Sequence, residues 1–243
     1  MKKKILNKIM AIKYNYNFQY HKKQKLIVIW QAKSACTIVN KMYYEQEGLL
    51  NEALAYNSWI HFYREKHNRK FRFERKRAIK DLTNRIIHFG VNPYRRAVSS
   101  YIHAMRTLYI GKEHENISFG AFINRLINGK ITPNIHHNKQ TFYLYKSRKI
   151  DYIKMEDIEN KLPIINKNYG INYKLKSSKH NAPTKEGKNI FLGNSLWDTI
   201  KDNIPKNYFN FYNKDIRKKV ERLYAEDIKN FGYTWEMFVN NKI

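Results

Sequence analysis

The sequence predicts an α/β fold with a parallel sheet, and three observations predict it. Short runs rich in β-branched and aromatic residues, at 26–30, 85–91 and 149–155, read as buried strands. The first two run into stretches of helical periodicity, so strand–turn–helix units follow one another. Hydrophobic residues make up 42% of the 243 and aromatics 15%, enough for a sizeable core despite 28% charged residues. There is no internal repeat.

Composition narrows the function classes. The chain carries 47 Lys+Arg against 20 Asp+Glu, a net charge of +27. Such an excess attracts polyanions: nucleic acid, anionic membrane, acidic glycans or nucleotides. The single cysteine excludes an internal disulfide framework and a cysteine-cluster metal site, and it fits a reducing compartment. No apolar run approaches the roughly 20 residues of a membrane span, and Lys8 and Lys13 interrupt the stretch a signal peptide would need. The expectation is a soluble, cytoplasmic protein.

Residues 1–25 carry eight Lys and no acid, which reads as a solvated basic arm. An alternative is an amphipathic helix over 2–12, lying on the inner membrane surface. From 26 to 243 the chain reads as one domain. Leu26-Ile27-Val28-Ile29-Trp30 is its first strand. A helix follows, with Ile38, Val39, Met42, Tyr43, Leu49 and Leu50 on one side and Gly48 near its stop. The stretch 62–85 holds ten Lys/Arg against three acids and reads as a solvated face.

The second strand, 85–91, is stopped by Asn92-Pro93. The helix predicted over 94–109 places Val98, Tyr101, Ile102, Met105 and Leu108 inward, with Arg96, Ser99, Ser100 and His103 on the opposite face. Ser118 caps a further amphipathic helix with Phe119, Phe122, Ile123, Leu126 and Ile127 inside. Residues 149–155 give a third strand. Residues 177–189 read as a mobile loop, and a last helix runs over 214–231 with Gly232 ending it.

The turn Gln31-Ala32-Lys33-Ser34-Ala35-Cys36-Thr37 has the make-up of an anion site. A helix N-terminus offers N–H groups and the positive end of its dipole, Lys33 adds a full charge, and Ser34 and Thr37 add hydroxyls. The glycines of the Walker loop are absent, so ATP hydrolysis is not supported. A second such turn, Asn92-Pro93-Tyr94-Arg95-Arg96-Ala97-Val98-Ser99-Ser100-Tyr101, again follows a strand and opens a helix. Arginine suits a phosphate because its donors bind bidentately.

Together these two segments resemble the cofactor motifs of sulfotransferases that use 3′-phosphoadenosine 5′-phosphosulfate (PAPS). The likeness is to the carbohydrate sulfotransferase branch, which includes chondroitin and heparan sulfotransferases and bacterial relatives. The first segment resembles its 5′-phosphosulfate loop and the second its 3′-phosphate segment. Four more segments fall in the family's order: Ile117-Ser118-Phe119-Gly120-Ala121-Phe122, Asn134-Ile135-His136-His137-Asn138-Lys139-Gln140, Ile150-Asp151-Tyr152-Ile153-Lys154-Met155-Glu156-Asp157-Ile158 and Tyr224-Ala225-Glu226-Asp227-Ile228-Lys229-Asn230-Phe231-Gly232-Tyr233. The likeness covers residues 26–235. One departure stands out: the family has Arg two residues before the Pro of the second motif, and here that place is Val91.

The resemblance implies a three-layer, P-loop kinase-like α/β fold, with a central parallel sheet flanked by helices. It implies transfer of a sulfuryl group from PAPS to a hydroxyl of a carbohydrate, an acidic polysaccharide on the charge balance, leaving adenosine 3′,5′-bisphosphate. Cofactor binding then falls to Lys33, Ser34, Ala35, Cys36 and Thr37 on one side and to Arg95, Arg96 and Ser99 on the other. Lys33 is also the catalytic charge on the leaving phosphate. His61 is the expected general base, with Glu45, Glu47 and Glu52 competing. His136 and Gln140 line the acceptor side, and His180 and Asn181 could close over the cofactor. No metal is expected, because adjacent histidines lack ligand spacing. The lack of a membrane span favours a cytoplasmic, bacterial setting over the Golgi anchor of animal relatives. The alternative is a non-catalytic nucleic-acid- or glycan-binding protein on the same fold, suggested by basic residues interleaved with aromatics over 63–73.

Overall fold

Four strands carry the α/β character of the chain. The structure is a computed structural model that describes residues 17–141, 148–175 and 190–240. In chain order the elements begin with β1 (Phe18–His21), β2 (Leu26–Trp30), α1 (Cys36–Gln46), α2 (Leu50–Tyr56), α3 (Ile60–Lys70), α4 (Arg72–Lys80) and β3 (Arg85–Gly90). They continue with α5 (Pro93–Thr107), α6 (Phe119–Ile127), β4 (Ile150–Lys154) and α7 (Ile158–Tyr169). The last are α8 (Trp197–Ile200), α9 (Lys214–Leu223), α10 (Ala225–Phe231) and α11 (Trp235–Asn240). These residues gather into two compact units. One holds the described residues up to Gly90 together with 148–175; the other holds Val91–Thr141 and 190–240.

In the first unit the sheet order is β1-β2-β3-β4. The strands β2, β3 and β4 are parallel, with Leu26 opposite Arg85 and Ile86 opposite Ile150, whereas β1 pairs antiparallel with β2, Phe18 opposite Ile29. The sheet is therefore mixed, with a parallel core and one antiparallel edge. The basic arm read through residue 25 gives way to strand over 18–21, because alternate residues of that short stretch find buried partners on both faces.

On one face Phe18, Ile27, Ile29 and Ile86 form a cluster joined by Ile79 of α4. Arg75, also on α4, is buried with its guanidinium 4.0 Å from the Phe18 ring and donates to the Phe18 carbonyl at 2.6 Å. On the other face Gln19 donates to Tyr44 Oη of α1 at 2.9 Å, and His21 bonds Glu47 at the end of α1 and Tyr173 Oη. Helices thus cover both faces of the sheet. The basic stretch 62–85 is not one solvated face: it forms α3 and α4, which bury Tyr63, His67, Asn68, Arg75 and Ala78.

The second unit is built on α5. Its apolar stripe, Ala97, Val98, Tyr101 and Met105, packs with Phe119, Phe122 and Ile123 of α6, Trp197 of α8, Phe211, and Ile216 and Val220 of α9. Ser118 caps α6 as expected, accepting from Ala121 N at 3.2 Å. The single helix expected over 214–231 is two, α9 and α10, broken at Tyr224. There the buried ring turns its hydroxyl to the His137 carbonyl at 2.7 Å, and the backbone leaves helical geometry at φ −114°. The loop expected over 177–189 lies outside the described residues, and so does the helix considered over 2–12. Among the described residues, no helix is long and apolar enough to cross a membrane.

Candidate anion-binding site

The first unit holds one of the two candidate turns. Strand β2 is wholly buried and delivers the chain into Gln31 and Ala32. Gln31 is buried too, and its side-chain oxygen accepts from Asn17 Nδ2 at 2.7 Å and from Ala32 N at 3.3 Å, which fixes the mouth of the turn. The chain then doubles back: Ser34 N donates to Gln31 O at 3.1 Å, with Lys33 at φ 65° and Ala35 at φ 54°. Two left-handed residues that are not glycine within three positions is uncommon, and such strain gathers at functional sites.

Ala35 is the N-cap of α1, and no side chain caps that end. The N–H groups of a helix's first turn lack intrahelical acceptors, so this end favours an anion. Lys33, Ala35, Cys36 and Thr37 are half-buried, whereas Ser34 is fully buried. Ser34 therefore shapes the turn from inside. Cys36, half-buried, packs at the start of the helix, and its carbonyl accepts from Asn40 Nδ2 at 2.6 Å.

His61, on the first turn of α3, reaches the same place. Its Nε2 lies 3.3 Å from Thr37 Oγ1 and 3.6 Å from Cys36 Sγ, and its Nδ1 is buried without a hydrogen-bond partner. Burial chiefly, with the nearby Arg64 charge, lowers its pKa to about 4. The imidazole is thus neutral at pH 7 and packed edge-on against Trp59, at 5.5 Å between ring centres. Of the competing carboxylates, Glu47 bonds His21 and Glu52 bonds the Tyr63 hydroxyl.

The second unit holds the other turn. Asn92 caps α5, accepting from Tyr94 N at 3.0 Å, and Pro93 occupies the first helical position, where a missing N–H costs nothing. Arg95 is half-buried, with its guanidinium 5.6 Å from the Tyr208 ring. Arg96 and Ser100, expected on the outward face, are buried instead. Arg96 donates to the carbonyls of Asn138 at 2.6 Å and Ile135 at 3.2 Å, and Ser100 donates to that of His136. The segment 134–138 lies over that face of the helix and supplies the acceptors that permit the burial. Ser99 is half-buried one turn from Arg95.

Gln140 is fully buried and engaged at both ends of its amide. It accepts from Val91 N at 3.0 Å and donates to Val91 O at 2.9 Å, so it positions Val91 rather than offering its amide to an acceptor. Asp227 pins the next link, accepting from Gln140 N at 2.8 Å and from Thr141 N and Oγ1 at 2.9 Å. His136 is half-buried, with Asn134 Oδ1 2.8 Å from its Nδ1, while its neighbour His137 is buried against Tyr109. Burial holds the His137 pKa down to about 4.

Sequence reasoning missed the Thr37–His61 pairing, the Asn17–Gln31 bond and the anchoring role of Asp227. The Asn-Pro pair stops β3 and opens α5, as the sequence of that turn predicts. His180 and Asn181 lie outside the described residues. Compared with protein-family models, with curated proteins and with solved structures, the chain matches none.

Proposed function

We propose that the protein is a sulfuryl transferase that moves a sulfuryl group from PAPS to a carbohydrate hydroxyl, on a three-layer, P-loop kinase-like fold. The observation that carries the reading is the 31–37 turn. A buried parallel strand ends in a turn held at two left-handed positions, Lys33 and Ala35, with the uncapped start of α1 after it. That combination suits a phosphate or phosphosulfate group.

In the reaction the acceptor oxygen forms a bond to sulfur as the bond between sulfur and the 5′-phosphate oxygen breaks. The hydroxyl proton passes to the neutral imidazole of His61 and from there to solvent. Adenosine 3′,5′-bisphosphate leaves with the extra negative charge, which Lys33 and the first-turn N–H groups of α1 stabilise. The transition state is loose and in-line, so positioning and charge stabilisation supply the rate, as in phosphoryl transfer. A pKa near 4 makes His61 a weak base when free; an arriving anion raises it toward the working pH.

In the second unit, Arg95 and Ser99 at the start of α5 are assigned to the 3′-phosphate, in place of the arginine missing at Val91. Arg96 serves by holding 135–138, Gln140 by holding Val91, and His136 is assigned to the acceptor. The net charge of +27 favours a polyanionic donor and acceptor. The reading is tested by incubating the protein with sulfur-labelled PAPS and a panel of neutral and uronate-containing polysaccharides. Label should pass to polymer, and Lys33→Ala should slow transfer about 100-fold or more. Binding of adenosine 3′,5′-bisphosphate with no transfer to any acceptor would instead make the protein a non-catalytic glycan binder.

A further inference from the structure

The strongest feature that the proposed reaction leaves unused is an aromatic surface beside His61. Trp59 is 57% exposed and Phe62 48%, large values for such side chains. Their ring centres lie 5.4 Å apart at an interplanar angle of 84°, and Trp59 also meets His61 edge-on. Tyr56, 52% exposed, continues the aromatic surface along the chain, with the Lys66 ammonium 4.5 Å from its ring centre.

Trp59 occupies a position at which the chain had a cheaper choice. It is the N-cap of α3, where Ser, Asp or Asn would satisfy a first-turn N–H, and no side chain caps that helix. The Trp59 backbone is fixed: its N–H donates to Asn57 Oδ1 at 2.7 Å, and its carbonyl accepts from Phe62 N at 3.0 Å. An exposed indole at that position costs helix stability and exposes apolar surface, which a ligand would cover.

Charge selects the ligand. Residues 42–63 contain no Lys or Arg, in a chain that carries 47, and they include Glu45, Glu47 and Glu52. The cations that follow are engaged, Arg64 donating to Asn17 Oδ1 at 3.5 Å and Lys66 lying over the Tyr56 ring, whereas nucleic acid stacked on aromatics normally comes with a basic groove. A sugar ring needs no such cation. Its apolar C–H face covers an indole, and its hydroxyls reach the polar neighbours His61 and Asn57.

We propose that Trp59 and Phe62 form a stacking platform for an uncharged sugar ring of the acceptor, beside His61. The platform rests on the sulfuryl-transfer reading and deepens it, because it makes the ring nearest the reacting hydroxyl neutral, with any acidic groups of the glycan further away.

The test is calorimetric titration of a neutral oligoglucan, a uronate-containing oligosaccharide and an oligothymidylate into wild type, Trp59→Ala and Trp59→Phe. Adenosine 3′,5′-bisphosphate is titrated into the same three proteins. The neutral sugar should bind wild type, and Trp59→Ala should weaken it about tenfold or more, with a smaller loss in Trp59→Phe. Bisphosphate affinity should stay within about twofold in all three, since Trp59 is outside the phosphate turn. Failure of every sugar to bind wild type, or equal sugar binding by Trp59→Ala, overturns the platform even when the nucleotide binds. Loss of oligothymidylate binding in Trp59→Ala would assign the surface to nucleic acid. A concentration-dependent dimer abolished by Trp59→Ala would assign it to a second copy of the chain. If the bisphosphate fails to bind wild type while the sugar binds through Trp59, the platform stands and the sulfuryl-transfer reading falls.

Discussion

His61 sets its Nε2 3.3 Å from Thr37 Oγ1, joining the start of α3 to the first turn of α1. The two residues are 24 positions apart in sequence. Their contact gives the proposed base a fixed place relative to the group it would serve. His61→Ala should lower the transfer rate about 100-fold or more, the range of a lost acid–base group. Adenosine 3′,5′-bisphosphate affinity should change by less than about threefold, because the proposed phosphate contacts come from the turn itself. Steady-state kinetics and equilibrium binding on the same variant separate the two. Equal losses in rate and affinity would make His61 a positioning residue for the turn.

The left-handed backbone of Ala35 makes a stability prediction that does not depend on the reaction. An L-residue pays roughly 1–2 kcal/mol to sit there, and glycine does not. Ala35→Gly should therefore stabilise the fold by about 0.5–1 kcal/mol after the entropy of the unfolded glycine is counted. Urea unfolding reads this directly. A loss of stability in Ala35→Gly would contradict the geometry of the turn.

Three buried histidines set a pH dependence. His61, His67 and His137 are each held at a pKa of about 4, chiefly by burial. An unfolded histidine titrates near 6.5. Between roughly pH 6.5 and 4 the unfolded chain binds more protons than the folded one, so this contribution to stability is complete above 6.5 and is lost as pH falls through the window. The slope is up to about 1.4 kcal/mol per pH unit for each histidine. Thermal melts between about pH 7.5 and 5 should show the decline, and His67→Phe should flatten it. A Tm that stays level across this range would contradict the burial of these rings.

Asp227 anchors the 140–141 corner through three hydrogen bonds, and burial raises its pKa while Arg96 pulls it back. Asp227→Ala would leave two N–H groups without their acceptor and should cost about 2–4 kcal/mol, most of which Asp227→Asn would not recover, because one amide face cannot accept from all three donors. Chemical unfolding of both variants checks this.

Much of the fold was legible because it rests on local pattern. The runs at 26–30 and 85–90 are strands, Val98, Tyr101, Ile102 and Met105 line the inner side of α5, and Ser118 caps α6. What escaped the sequence was polarity satisfied at long range. Gln19 and His21 disguise β1 as part of a basic arm; they are buried because Tyr44, Glu47 and Tyr173 accept or donate from far along the chain. Arg96 looked like an outward charge and is buried because carbonyls about forty residues on take its donors. At the candidate site the residues of the turn could be named from the sequence. The strain at Lys33 and Ala35, the closure of Gln140 on Val91 and the approach of His61 to Thr37 could not, since each depends on backbone geometry or on a distant partner.

The most direct test of the central claim is titration of adenosine 3′,5′-bisphosphate into wild type and Lys33→Ala, followed by calorimetry at moderate and high salt. The account predicts saturable one-to-one binding by wild type that persists at high salt and is weakened about tenfold or more in Lys33→Ala. Absence of binding by wild type, or binding that Lys33→Ala leaves unchanged, would contradict it.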